Sequence, residues 1–379
     1  MAIISETSDD GSNGGDPNKK PQEEENLAPS LLPIPEELAE SILLLVKRCH
    51  YPKLSLFSRT FRYVISSPEL YQRRLQLGLT EPVLYALIRL PYVSYEFDPT
   101  WYILNRNVSR KISLRLSSLP PMSLMQPGSA VVTVGYDMYV IGGCDHPTSN
   151  VYIIDCRFHQ CRSLPGMQRA RSSPAAGVID RKIYVIGGCE QRDDNWIEVF
   201  DIDTGVWSSV AGPYEYNSSM EEGGFLTYVV MQEKIYISDP ECCLAYEPRQ
   251  GTWESWGDSS ALVRYWHPSS CVIEDLLYSI NPFCELLVYD PNESFWKRVE
   301  GVFHLPRLNY HKCKLANVGG KLVVLANTCN RHGSKHVWCI EITVERREGG
   351  EVWGEVASRS VVLKSMDSLS IDLCRSVAF

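Results

Sequence analysis

Two hydrophobic rhythms divide this 379-residue chain. Between Leu31 and Leu77 apolar residues recur at steps of three and four, the spacing of a helix with one apolar face. Pro35 opens the first predicted helix, since its fixed φ suits a first turn, and Glu36 and Glu37 bring negative charge to the positive helix end. Leu38, Ile42 and Val46 then form one stripe. Pro52 opens a second helix carrying Leu54, Phe57, Phe61 and Val64; Ser67-Pro68-Glu69 opens a third carrying Leu70, Tyr71 and Leu75. Arg73 and Arg74 fall near its end, where cations are favoured. The expectation is a three-helix unit at residues 29–78. So small a unit buries little surface by itself. Its apolar stripes should therefore meet either the rest of the chain or a partner.

From about residue 80 the rhythm changes to short β-prone runs between turns. Met-Tyr-Val-Ile-Gly-Gly at 138–143 returns as Ile-Tyr-Val-Ile-Gly-Gly at 183–188, 45 residues on. A second mark follows: an apolar strand end, usually an acid, a turn, and Trp seven residues later. Phe200-Asp201 leads to Trp207, Tyr246-Glu247 to Trp253, and Tyr289-Asp290 to Trp296. Ile154-Asp155 with Cys161, Leu104-Asn105 with Lys111, and Ile340-Glu341 with Trp353 complete six copies. A sheet unit repeated at this period cannot cover both its faces and must stack on its neighbours. The prediction for residues 79–379 is a mainly β fold, a six-bladed propeller. Gly-Gly permits tight backbone packing, Tyr and Trp fill the space between blades, and the acid bonds turn amides. The first blade shows strands near 83–88, 101–104 and 112–116 but lacks an innermost one. The strand-like end Ile371–Phe379 is expected to supply it and close the ring, because an open ring leaves bare sheet edges.

Residues 1–26 are rich in Gly, Ser, Asn, Asp, Glu and Pro, with seven acids against Lys19 and Lys20. Lacking apolar payload, residues 1–28 are predicted to be a disordered acidic tail. It accounts for −5 of the net charge of −9, so the remainder is close to neutral and offers no basic field for nucleic acid. The tail is not a secretory signal, and runs such as Ile42–Val46 are too short to span a bilayer. These features predict a soluble intracellular protein with neither a membrane nor a nucleic-acid partner. The thirteen cysteines are scattered and are expected to be free thiols. The eight histidines do not cluster at ligand spacing, and no phosphate loop, nucleophile elbow or zinc-protease helix occurs. No catalytic residue, cofactor or metal is expected.

Ile34-Pro35-Glu36-Glu37-Leu38, Ile42-Leu43, Tyr51-Pro52, Leu54 and Leu56-Phe57-Ser58-Arg59 with Phe61-Arg62 resemble an F-box, Ile34 standing in the family's opening Leu place and Phe61 in its Trp place. The repeated body is similar to kelch repeats, and Ser67–Tyr85 resembles the junction of plant F-box/kelch proteins. The resemblance implies a substrate-recognition adaptor of an SCF-type (Skp–cullin–F-box) ubiquitin ligase, without catalysis of its own. It implies a grip on a Skp-family adaptor, and through it a cullin, by Ile34, Pro35, Leu38, Ile42, Pro52, Leu54, Leu56 and Phe57. The expected location is the cytoplasm, the nucleus or both. Kelch-like propellers hold targets at loops on one face, where the connections into the innermost strands carry Arg169, Arg171, Arg264, Tyr265, Trp266, His267, Arg307, Tyr310 and His311. Arg, Tyr and Trp dominate interface energy. The Gln191–Trp196 loop is a weaker candidate. Two other readings of the residues stay open: a propeller enzyme acting on a small molecule, and a kelch scaffold whose helices serve only as a lid.

Overall fold

The structure is a computed structural model that describes residues 34–89, 100–106, 112–116, 128–143, 147–189, 197–210, 227–238, 242–257, 261–303, 305–306, 313–329, 335–365 and 369–379. The expected tail at 1–28 lies outside the described residues.

Four helices open the described chain: α1 (Glu36–Leu45), α2 (Tyr51–Phe57), α3 (Arg59–Ile65) and α4 (Pro68–Gln76), with a 3₁₀ turn at Arg48–His50. The expected second helix is therefore two. Ser58 is extended (φ −146°, ψ 137°), and its Oγ accepts the Thr60 amide at 3.2 Å, which ends α2 and caps α3. In α1 the buried pair is Ala39 and Leu43. The predicted stripe is turned by one residue, so Ile42 and Val46 are half-buried and Leu38 is 53% exposed.

Among the described residues, twenty-four strands form six four-stranded sheets. Blade 1 holds β1 (Pro82–Arg89), β2 (Thr100–Arg106) and β3 (Ile112–Leu116). Blade 2 holds β4 (Ala130–Val134), β5 (Asp137–Ile141), β6 (Val151–Asp155) and β7 (Gln160–Leu164). Blade 3 holds β8 (Ala175–Ile179), β9 (Lys182–Ile186), β10 (Ile197–Asp201) and β11 (Val206–Val210). Blade 4 holds β12 (Thr227–Met231), β13 (Lys234–Ser238), β14 (Cys242–Glu247) and β15 (Thr252–Gly257). Blade 5 holds β16 (Cys271–Ile273), β17 (Leu276–Ile280), β18 (Leu286–Asp290) and β19 (Phe295–Arg298). Blade 6 holds β20 (Lys314–Val318), β21 (Lys321–Cys329), β22 (Lys335–Arg346) and β23 (Val352–Ser365). The last strand, β24 (Ser370–Ala378), pairs antiparallel with β1 from Pro82↔Ala378 to Arg89↔Ser370 and becomes the innermost strand of blade 1. Each innermost strand touches the next around the full circle, β24 lying between β20 and β4. The ring is closed by the two ends of the propeller sequence, as the missing first strand predicted.

The repeat marks occupy equivalent places. Phe200↔Trp207, Tyr246↔Trp253, Tyr289↔Trp296 and Ile154↔Cys161 are direct cross-strand partners. Asp201 accepts the Asp203 and Thr204 amides at 3.1 and 2.9 Å, and those donors hold its carboxyl below the usual range. Asp155 and Asp290 cap their turns in the same way. Two expected copies differ in register. Leu104 pairs with Leu114, and β22 runs on to Arg346, so Trp353 faces Glu345 while Ile340 faces Arg359. The longer hairpin keeps Trp353 one step from its turn and moves Ile340 away from it. Gly188 has φ 71°, and a Cβ there would strike the Ser172 carbonyl oxygen. In the other Gly-Gly copy the tight position is Gly142, with φ 67° and the Arg171 carbonyl oxygen 3.1 Å from where a Cβ would stand.

Candidate functional site

Alternation of strand direction assigns every loop to a face. Within a blade, turns after the first and third strands lie on one side, and connections after the second and fourth lie on the other. The helices lead into β1 where β24 finishes, so they sit on the first side.

They are held there by a compact seam. Arg74 is 2% exposed, and its guanidinium donates to Tyr51 Oη (3.0 Å), the Leu79 carbonyl (2.6 Å) and Glu81 Oε1 (2.8 Å). Glu81 Oε1 also accepts the Arg48 amide at 2.9 Å. The Arg48 guanidinium lies 3.5 Å from the Phe379 ring centroid, and Tyr71 packs edge-on to Phe158 at 5.5 Å. Burial draws the Arg48 guanidinium below its ordinary value and pushes the Tyr71 hydroxyl above its own. Ala39, Leu43, Phe61, Leu70 and Tyr71 share one cluster with Tyr85, Met138 and Phe379 of the ring. The sequence reading took Arg74 as a helix-end cation and missed its role as the hub. No local pattern marks it, because its partners come from α1, α2 and the linker.

The opposite side of the helices stays open. Of the eight expected adaptor-contact residues, Pro35, Leu38, Pro52, Leu56 and Phe57 are exposed, Phe57 by 84% and Leu56 by 78%. Ile34, Ile42 and Leu54 are half-buried and back onto the same cluster. Leu45, 87% exposed, and Tyr63, 63% exposed, extend the apolar surface and were not singled out. Leu45 lies seven residues, about two turns, beyond Leu38 on α1, a signal available in the sequence.

Of the expected target-contact residues, the described ones, Arg169, Arg171, Arg264, Tyr265, Trp266 and His267, fall on the far face, where connections enter the innermost strands. Arg171 corrects its expectation. It is fully buried, its guanidinium donates to Glu198 at 2.9 Å and to the Gly187 carbonyl at 2.6 Å, and Glu198 is equally buried. An Arg fork in the gap between two blades satisfies backbone that the glycine turn leaves bare. Glu198 also accepts the Gln168 and Arg169 amides, fixing that loop and leaving the Arg169 side chain half-buried. Trp266 is 6% exposed and packs with Leu262, Leu277 and Tyr289. His267 Nδ1 accepts the Ser269 amide at 3.2 Å, and Nε2 lies 3.0 Å from the Ile280 carbonyl oxygen. Arg264 is exposed above the half-buried Tyr265, 5.4 Å from its ring centroid. Arg307, Tyr310, His311 and the Gln191–Trp196 loop lie outside the described residues. The same face carries Phe283, 84% exposed, and Phe303, 50% exposed, with Arg359 donating to the Phe303 carbonyl at 3.1 Å. These were missed, although Asn281-Pro282-Phe283 stands where other blades have Gly-Gly.

Among the described residues no three His, Cys, Asp or Glu side chains gather as a metal site needs. No described helix is long and apolar enough to cross a membrane.

Comparison with known proteins agrees with this division. Residues 31–73 match the F-box domain family, and residues 101–363 match the FKB95 kelch-repeats domain family. In Arabidopsis thaliana, the F-box/LRR-repeat/kelch-repeat protein At2g29770 is 55% identical to the chain, the putative F-box/kelch-repeat protein At2g29780 52%, and the F-box/kelch-repeat protein At2g29830 48%; each pair is covered along the full length of both chains. An apolar helical unit seated on one face of a closed six-bladed ring, matched along its whole length by such relatives, belongs to the F-box/kelch-repeat family.

Proposed function

We propose that this chain is the substrate receptor of an SCF-type ubiquitin ligase. The helices hold a Skp-family adaptor, and through it a cullin, while the far face of the propeller holds the target protein. The observation that carries this is the unused apolar side of the helices. Leu38, Leu45, Leu56 and Phe57 are 53%, 87%, 78% and 84% exposed although the opposite side of the same helices is packed on the ring. Exposed apolar surface of that density marks a protein interface. Residues 29–78 act as the adaptor module and 79–379 as the target module, behind a tail at 1–28. The chain contributes no catalytic group. Its work is to bring a target lysine to the ligase at high effective concentration, in the cytoplasm or nucleus. Arg169, Arg264 and Tyr265 serve the target face, joined by Phe283, Phe303, Arg307, Tyr310 and His311, whereas Trp266 and His267 support it from below.

Co-purification with a Skp-family adaptor tests this. Wild type is expected to retain the adaptor, and Leu56→Asp with Phe57→Asp to release it at an unchanged melting temperature. A wild-type chain that does not bind, or a double variant that binds equally, overturns the proposal.

A further inference from the structure

The channel at the centre of the ring has a strongly uneven charge. The six innermost strands β4, β8, β12, β16, β20 and β24 contain three charged residues: Lys314, Asp372 and Arg375. All three lie on β20 and β24, which are neighbours. Lys314 is the first residue of β20 and so lies toward the face opposite the helices. Arg375 reaches the same half, because its Nε donates to the Val131 carbonyl near the start of β4 at 2.9 Å; its Nη1 donates to the Cys374 carbonyl, also at 2.9 Å. These two bonds fix the guanidinium and leave Nη2 without a partner among the described residues. Lys314 Nζ has none either. Asp372 is committed elsewhere: its Oδ2 accepts Arg89 Nε at 3.1 Å and Nη2 at 3.0 Å, and its Oδ1 accepts the Ser370 hydroxyl. On the described innermost strands and β1, Arg89, Lys314 and Arg375 stand against Asp372, which also favours the charged Lys314, so positive charge exceeds negative by two there.

Burial, and then the Arg375 charge, draw the Lys314 ammonium below its ordinary range, as expected of a desolvated cation beside another. Cys271, on the neighbouring β16, and Cys374 have thiols pushed up to about 12 by burial, so both stay neutral and supply no countercharge. The other mouth of the ring is different. The cavity there, about 560 Å³, is lined by Thr80, Thr133, Asn317, Ser376 and small residues with no ionisable side chain.

We propose that the target-side half of the channel is an oxyanion site, in which Lys314 and Arg375 receive a dianionic phosphate group. A phosphate monoester carries about two negative charges near neutral pH, which matches the local surplus, and the planar Arg fork beside a Lys point charge suits its geometry. The group arrives either as a free phosphate ester or on a phosphorylated side chain of a bound protein. The site does not depend on whether the helices hold an adaptor.

Calorimetric titration of the full chain with inorganic phosphate, in sodium chloride of matched ionic strength, tests it. Wild type is expected to bind saturably; Lys314→Met weakens binding by about tenfold or more, with the fold checked by melting temperature, and Lys314→Arg retains it. A phosphoserine peptide that binds more tightly than inorganic phosphate assigns the anion to a protein ligand; equal affinities assign it to a free ester. The proposal is overturned if phosphate produces no response beyond that of chloride, or if Lys314→Met binds as well as wild type. Neither result bears on adaptor co-purification, so the two proposals fail separately.

Discussion

The helical unit and the ring treat their large hydrophobic residues in opposite ways. Between residues 34 and 78, seven are exposed: Leu38, Leu45, Leu56, Phe57, Tyr63, Leu75 and Leu77. The described ring, several times longer, exposes five: Leu79 at its entry, Val206, Phe283, Phe295 and Phe303. Each blade has a neighbour on both faces, so both of its apolar faces disappear into the ring. The helices have one neighbour and can bury one side. An apolar second side therefore persists only where something else covers it, and the F-box reading names what does. In the ring the exposed aromatics are isolated, and Phe283 and Phe303 stand out because they share a face with the connections expected to meet a target.

The sharpest way to break the contrast is to damage the ring where its interior is charged. Glu198→Ala leaves Arg171 buried and unpaired, and the expected loss is about 3–5 kcal/mol of unfolding free energy by chemical denaturation. A loss below about 1 kcal/mol would show that the pair does not hold blades 2 and 3 together. Next comes the seam between the two regions. Phe379→Ala removes a ring packed between Arg48 and Tyr71, at an expected cost of about 3 kcal/mol. Amide exchange should quicken through residues 39–71; unchanged protection there would mean that the helices stay seated without it.

A smaller effect, with a sign set by pH, is expected at Asp137. Burial, reinforced by the neighbouring Asp155, pushes this carboxyl up to about 6. The folded state thus keeps a proton that the unfolded chain releases near pH 3.8, so stability falls as pH rises from about 4 to about 6, and the penalty is full above that window. Asp137→Asn should raise the melting temperature at about pH 7.5 and raise it less at about pH 4. Equal gains at both pH values would remove burial of the charge as the cause. The smallest effect belongs to the open side of the helices. Leu45→Ser should change stability by no more than about 0.5 kcal/mol while weakening adaptor co-purification. A large loss of stability would mean that Leu45 is part of the fold.

Much of the propeller could be read in order along the chain. The spacing of the Tyr–acid–Trp marks gave six blades, and the missing first strand pointed to Ile371–Phe379. Less of the binding surfaces was legible. Arg171 and Arg264 look alike as arginines entering innermost strands, yet one is sealed against Glu198 and the other lies in solvent. Their difference depends on a residue 27 positions away in one case and on no acidic partner among the described residues in the other. The stripe in α1 was displaced by one residue because a helix with apolar groups most of the way round has two candidate buried faces. Packing against α3 and α4 chose Ala39 and Leu43.

By itself, the amino-acid order determined what is periodic: the repeat length, the strands, the turn acids, the glycines where backbones touch, and the apolar character of the helices. Each of these rests on interactions within about a dozen residues, where sequence distance and spatial distance agree. The tertiary structure decided which side of the helices is left over, which arginines are sealed, and that the strands carrying Lys314 and Arg375 are neighbours. Those outcomes depend on contacts between residues tens of positions apart, such as Arg171 with Glu198 and β24 with β20 and β1, and no local pattern encodes them.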